Sequence, residues 1–346
     1  MTFKTVTHIS TAKALVELHE MLTYPRYASS HYEQQFIEKF IDTLPGVEAD
    51  GYGNRHVKIG DCGVLWSSHT DSVHSLKDRR QVVVKRDGKL MLKDPKSADC
   101  LGADCGTGVW LMRHMILRGV PGHYVFHREE EVGAFGAEWL AKHDNRHLLD
   151  GIYAAIALDR KGYHSVITCQ GARTASDAFA RSVAAQLGGD YKPDDTGLFT
   201  DTKKYRDFIP ECSNISVGYF NQHSGQEVQD VVFAGELLDK LCAFDTTALT
   251  IERDPAAVEE YYPAYGGRRY SWTDHYDADM YDSTLSALDE MFPDTGNVSK
   301  GASTLDNYER LVRLVQQFPF DLADWLDREG VNEEELRREL GLDRWR

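Results

Sequence analysis

Four short apolar runs alternate with stretches whose apolar residues recur at helical spacing, and nothing else in the chain limits its fold as much. Residues 62–68 (CGVLWSS), HYVFHR (123–128), IYAAIALD (152–159) and CSNISVGYF (212–220) have the length and composition of strands. Between them, LGADCGTGVWLMRHMILRG opens as a glycine-rich loop and predicts a helix over about 106–118, ended by Gly119 and Pro121. EEEVGAFGAEWLAKH reads as a loop entering a helix, and SDAFARSVAAQLG (176–188) and GELLDKLCAF read as helices. A strand that returns to its sheet through a helix lies parallel to the one before it. The expected class is therefore α/β, a three-layer sandwich with a mainly parallel central sheet. Two further helices are expected over 11–22 and 31–43, and a hairpin over 80–93 with Asp87 and Gly88 at its turn.

The alternation stops near residue 254. Residues 1–254 are expected to form one catalytic-size domain. Residues 255–346 form an extension, rich in Tyr and Asp up to about 300 and then mostly short helices, suited to docking or oligomerisation. Charge removes several functions. Asp and Glu number 55 against 39 Lys and Arg, a net charge of −16, whereas a nucleic-acid or anionic-membrane surface needs a basic face. Neither is expected as a partner. The N-terminus lacks an apolar signal-peptide core and no stretch approaches a membrane span. The six cysteines form no CxxC pair and are expected to be reduced thiols, which points to the cytoplasm.

Ligands in an open α/β sheet bind beyond the carboxyl ends of its strands, and that is where the polar residues fall. His69 follows the first strand, with Asp71 two residues on. Asp104 sits in a glycine-flanked turn before a helix. Glu129, Glu130 and Glu131 follow the second strand, Asp159 ends the third, and His223 follows the fourth, with Glu227 as an orienting carboxylate. Each has an ordinary reading when taken alone: an exposed loop histidine, a helix cap, acids complementing a helix dipole. Together they place imidazoles and carboxylates at five successive sheet ends, the residue types that bind divalent metals.

The set resembles the co-catalytic di-zinc exopeptidases, in the compact aminopeptidase-like branch. HTD (69–71), GADCGTG (102–108), EEVGAFGA (130–137), the strand-terminal Asp159 and HSGQE (223–227) occur in that family's order, and the resemblance covers about residues 10–250. It implies that Asp104 bridges two divalent ions, most simply Zn²⁺, with Co²⁺ or Mn²⁺ as alternatives. His69 and Asp159 would complete one site, Glu131 and His223 the other. Glu130 would act as general base on the bridging water, and Asp71 would orient His69. The implied substrate is a small peptide or amino-acid derivative. Carboxypeptidase, N-acyl amino acid deacylase, single-zinc glutaminyl-cyclase-like transfer and a catalytically dead module are the alternatives.

The chain departs from the family pattern at Cys105, where an acid or Asn is usual after the bridging Asp and where the peptide bond is often cis. A buried structural thiol is the expectation there. The spacing from His69 to Asp104 leaves room for the hairpin only, and that from Asp159 to His223 leaves none for a dimerisation domain. His127 is expected in a strand, with His123, His143 and His147 flanking helices and none of them ligating metal. Lys203, Lys204, Tyr205 and Arg206 read as a solvated charged loop.

Overall fold

The computed structural model describes residues 11–75, 79–96 and 99–257. The Tyr/Asp-rich segment and the C-terminal helices, with the docking role expected of them, lie almost wholly outside the described residues. In chain order the helices are α1 (Thr11–Met21), α2 (His31–Phe36), α3 (Ala103–Leu117), α4 (Phe135–Ala141), α5 (Asp177–Leu187) and α6 (Val231–Cys242). The strands are β1 (Glu48–Ala49), β2 (Arg55–Ile59), β3 (Val64–His69), β4 (Val83–Arg86), β5 (Lys89–Leu92), β6 (Gly122–His127), β7 (Ala154–Arg160), β8 (Ser165–Ile167), β9 (Lys192–Asp194), β10 (Glu211–Ser216), β11 (Tyr219–Phe220) and β12 (Val228–Asp230).

Eight strands form one sheet in the order β1-β2-β6-β3-β7-β10-β8-β9. Its middle is parallel: β6 pairs β3, β3 pairs β7, and β7 pairs β10. β2 and β8 attach to that middle antiparallel. Alternation along each central strand sorts side chains into two cores. Val64, Trp66, Tyr124, Phe126, Ala154 and Ile156 face a large core shared with α1, α2, α3, α5 and α6. Leu65, Val125 and Ala155 face a smaller core with Ala137 and Leu140 of α4 and with Tyr205. Helices on both faces of one sheet make the expected three layers.

The small strands carry the differences from the sequence reading. The hairpin β4–β5 turns at Asp87 and Gly88, both with positive φ (48° and 76°), as expected. It belongs to a second, antiparallel sheet, β11-β12-β5-β4. CSNISVGYF is not one strand: β10 ends at Ser216, and the chain turns at Gly218 (φ 89°) so that Tyr219 and Phe220 pair in the second sheet. The helix expected over 31–43 is α-helical only to Phe36 and continues as a π-helical turn over Ile37–Ile41. His123 lies inside β6 rather than beside a helix.

α3 is buried along almost its whole length, because it is covered by the sheet beneath and by α1 and α6 outside. Trp110 Nε1 donates to Ala14 O of α1 at 2.8 Å. The glycines of GADCGTG serve this approach as much as the turn. Gly102 takes the left-handed conformation (φ 76°). A Cβ on Gly108 would stand 2.1 Å from both Leu158 O and Ser68 Oγ, so α3 meets the backbone of β7 and a side chain of β3 there. Gly108→Ala should destabilise the protein by about 3 kcal/mol or more, read by urea unfolding. A variant as stable as the wild type would contradict this packing.

Candidate metal centre

The parallel strands β3, β6 and β7 end at one rim of the sheet, and the loops that leave them gather the acids. His69 is the last residue of β3 and Asp159 the next to last of β7. Asp104 stands in the first turn of α3, Glu130 and Glu131 lie in the turn between β6 and α4, and His223 follows β11. The side chains meet. His69 Nε2 lies 3.2 Å from Asp104 Oδ1, 3.4 Å from Asp159 Oδ1 and 3.9 Å from Glu130 Oε2. His223 Nε2 lies 3.2 Å from Asp104 Oδ2 and 3.2 Å from Glu131 Oε1. The Asp104 carboxylate thus presents one oxygen to each imidazole.

Four carboxylates and two imidazoles crowd one rim, with His69 buried, Glu130 and Glu131 half-buried and His223 exposed. Glu131 Oε1 and Asp159 Oδ1 are buried and accept no hydrogen bond. Burial, reinforced by Asp104, raises the pKa of Asp159 to about 6. Burial also lifts Glu130 well above the usual carboxylate range, helped by Glu131, Asp159 and Asp201 and opposed by His69. Burial works against a charged His223, but Glu131 and Asp104 outweigh it and hold its pKa at about 12. Asp104 is lowered despite burial, by His223 and His69. In three groups, His69 with Cys105 and Asp159, His69 with Glu130 and Glu131, and Asp104 with Glu131 and His223, the donor atoms lie within 4.8 Å of one another. Orphaned carboxylate oxygens facing imidazole nitrogens are a donor set that suits a divalent cation.

Neighbouring groups fix these side chains. The Asp71 carboxylate accepts from the amides of Glu130 at 3.0 Å and Glu131 at 3.1 Å. It lies 3.5 Å from His69 Nδ1, whose nearer partner is the Asp71 carbonyl oxygen at 3.2 Å. Asp71 therefore holds the glutamate turn as well as facing the imidazole. Glu227 does not take the orienting position expected beside His223. Its carboxylate accepts from the amides of Gly102 at 2.8 Å and Asp104 at 3.1 Å, and burial and Asp104 raise its pKa to about 7. The Asp104–Cys105 peptide is cis. Cys105 is fully buried, its thiol 2.9 Å from Ser68 Oγ and 3.2 Å from Leu158 O, and burial raises its pKa.

Several supporting residues gave no signal in the sequence. Thr200 Oγ1 donates to Asp159 Oδ2 at 2.8 Å, and Tyr219 Oη donates to Asp159 O at 2.7 Å. The buried Arg26 ties two loops of the site together, donating from Nε to Thr70 O at 2.9 Å and from Nη2 to Gly102 O at 2.7 Å. Its position just after Tyr24-Pro25 is visible in the sequence, but its partners are 44 and 76 residues away. The run TKKYR is not all solvated. Lys204 pairs with Glu138 at 2.9 Å. Tyr205 is fully buried, its hydroxyl 2.6 Å from His127 Nε2. His127 lies on Ser67 at 3.1 Å and Asp201 at 3.4 Å, and it joins none of the ligand groups.

Comparison with solved structures finds the same fold elsewhere. The aminopeptidase PepT from Bacillus cereus ATCC 10987 matches over 68% of this chain and 100% of its own, with 14% identity and a TM-score of 0.53. A tripeptidase from Staphylococcus aureus matches over 68% of this chain and 98% of its own, with 16% identity and a TM-score of 0.55. At that identity the likeness is one of fold. No protein-family model and no curated protein sequence matches the chain.

Two predictions follow from the charges. If a cation compensates the carboxylates, adding Zn²⁺, Co²⁺ or Mn²⁺ to chelator-treated protein should raise Tm by several degrees, since a ligand held at 100 times its Kd adds about 2.7 kcal/mol. An unchanged melting curve with all three would count against a metal centre. Burial, with His56 adding to it, lowers the pKa values of His123 and His127 to about 3. Both are neutral when folded and take up protons on unfolding below about pH 6.5. Their contribution is complete above that pH and is lost as pH falls towards 3, by about 2 kcal/mol per histidine between pH 7 and pH 5. Urea titrations at the two pH values should show this fall, reduced by about half its histidine part in His123→Gln. An equal fall in the variant would contradict the assignment.

Proposed function

We propose that the chain is a metal-dependent hydrolase of peptide or amide bonds, an aminopeptidase-like exopeptidase. The observation that carries this reading is the Asp104 carboxylate set between His69 and His223, with Asp159 and Glu131 each turning to the same imidazoles an oxygen that accepts no hydrogen bond. The fold shared with an aminopeptidase and a tripeptidase supports it. His69, Asp104 and Asp159 would hold one divalent ion, and Asp104, Glu131 and His223 a second. Zn²⁺ suits these ligands, with Co²⁺ or Mn²⁺ as alternatives. When bound, such ions polarise the scissile carbonyl and acidify water.

Glu130 carries the proton work. Its Oε2 is 3.9 Å from His69 Nε2, beside the ligands without being held between the two imidazoles. Its raised pKa lets it take a proton from the attacking water and return it to the leaving amine. Asp71 fixes the Glu130 and Glu131 amides and so sets where that carboxylate points. All six cysteines are free thiols, which supports a reducing, cytoplasmic setting.

Metal-loaded protein assayed against amino-acid amides, dipeptides and N-acyl amino acids should cleave free-amine substrates. Glu130→Gln should retain its metal and lose about 10²–10⁴-fold in kcat. A variant that keeps its activity would remove Glu130 as the base. Wild type inactive on the whole panel would remove the hydrolase reading.

A further inference from the structure

The two oxygens of the Asp159 carboxylate have different surroundings. Oδ1 faces His69 Nε2 at 3.4 Å and accepts no hydrogen bond. Oδ2 accepts from the hydroxyl of Thr200 at 2.8 Å, with Asn214 Nδ2 farther off at 3.5 Å. The Asp159 backbone is held separately: its amide donates to Asn214 Oδ1 at 3.0 Å, and its carbonyl accepts from Tyr219 Oη at 2.7 Å. Rotation of the carboxylate itself is therefore set chiefly by Thr200.

Thr200 has an ordinary task within reach and does not perform it. It is buried, and it stands at the N-cap of the short 3₁₀ helix Asp201–Tyr205. A threonine there ordinarily turns its side-chain oxygen to the first amides of its own helix. That side-chain bond is not made. Thr200 supplies only its backbone carbonyl, which accepts from the Lys203 amide at 3.0 Å. Its hydroxyl goes instead to a carboxylate 41 residues earlier in the chain. A carboxylate that binds a metal through one oxygen is commonly oriented by a hydrogen bond on the other. One-oxygen ligation also keeps the coordination number low, which suits zinc, whereas a carboxylate free to turn both oxygens inward suits ions that take more oxygen ligands.

We propose that Thr200 is a positioning residue of the metal centre: its hydroxyl holds Asp159 Oδ2 and so presents Oδ1 alone to the cation shared with His69 and Asp104. The proposal rests on the metal-dependent reading above. Thr200 acts only through Asp159, so its loss weakens one cation position and leaves the position of Glu131 and His223 as it was.

The test titrates Zn²⁺ into the full-length, chelator-treated protein against a competing chromophoric chelator. Thr200→Val keeps the branched shape and removes the donor, and one of the two zinc steps should weaken by about 10–100-fold. Thr200→Ser keeps the donor and should bind as the wild type does. Thr202, buried in the same segment, donates to Ser213 O at 3.2 Å. Thr202→Val loses a buried hydrogen bond away from Asp159 and should leave both steps unchanged. In His223→Ala, which lacks a ligand of the other ion, adding Thr200→Val should weaken the remaining step by the same factor. Wild type that binds zinc no more tightly than Thr200→Val overturns the proposal and spares the metal-dependent reading. Equal weakening in Thr202→Val, or a Thr200→Ser variant as weak as Thr200→Val, does the same. Wild type that binds none of Zn²⁺, Co²⁺ and Mn²⁺ overturns both.

Discussion

Like charges gathered at the ends of parallel strands are the constraint on which the rest of this structure depends. A buried carboxylate is tolerated only when something positive or a hydrogen-bond donor faces it. Asp104 has imidazole on both sides. Asp71 and Glu227 are satisfied by pairs of backbone amides. Asp159 and Glu131 each turn one oxygen to an imidazole nitrogen, at 3.4 and 3.2 Å, in a geometry that makes no hydrogen bond, and Glu130 stands among them with a raised pKa. The acids thus divide into those the protein satisfies itself and those left open towards one shared space.

That division explains the architecture around the rim. Asp71 and Glu227 accept from amides of the turns that carry Glu130, Glu131 and Asp104, so the open acids are placed by backbone rather than by long, mobile side chains. Arg26 adds a third brace between the loops at Thr70 and Gly102. Below the rim, α3 approaches β3 and β7 closely at Gly108, and this close packing fixes the height of Asp104 relative to His69 and Asp159. Geometry of this kind suits a reaction in which small displacements of ligands or base are costly.

The sequence exposed much of this. Apolar runs long enough for strands but too short for helices, each followed by a ligand-type residue, are legible without coordinates, and so is the αβ alternation that makes the sheet centre parallel. The side chains of His69, Asp104, Glu130, Glu131, Asp159 and His223 do converge; their roles as ligands and base stand as the proposal. What was illegible has a physical cause. β2, β8 and β9 lie outside the parallel middle of the main sheet and β12 belongs to the second sheet, each of three to five residues, too short for a clear period. Glu227 was misplaced because sequence proximity to His223 says nothing about a carboxylate that reaches back to residues 102 and 104. Tyr205 looked solvated among lysines because a short turn can bury one residue and expose its neighbours. Arg26 and Thr200 act through contacts set by tertiary folding alone.

The central claim is that the open oxygens share cations. Crystals grown with Zn²⁺ and measured on both sides of the zinc absorption edge test it directly. Anomalous peaks are expected between His69, Asp104 and Asp159 and between Asp104, Glu131 and His223. Full-occupancy zinc found only elsewhere, with the Asp104 carboxylate turned away from both imidazoles, would contradict it.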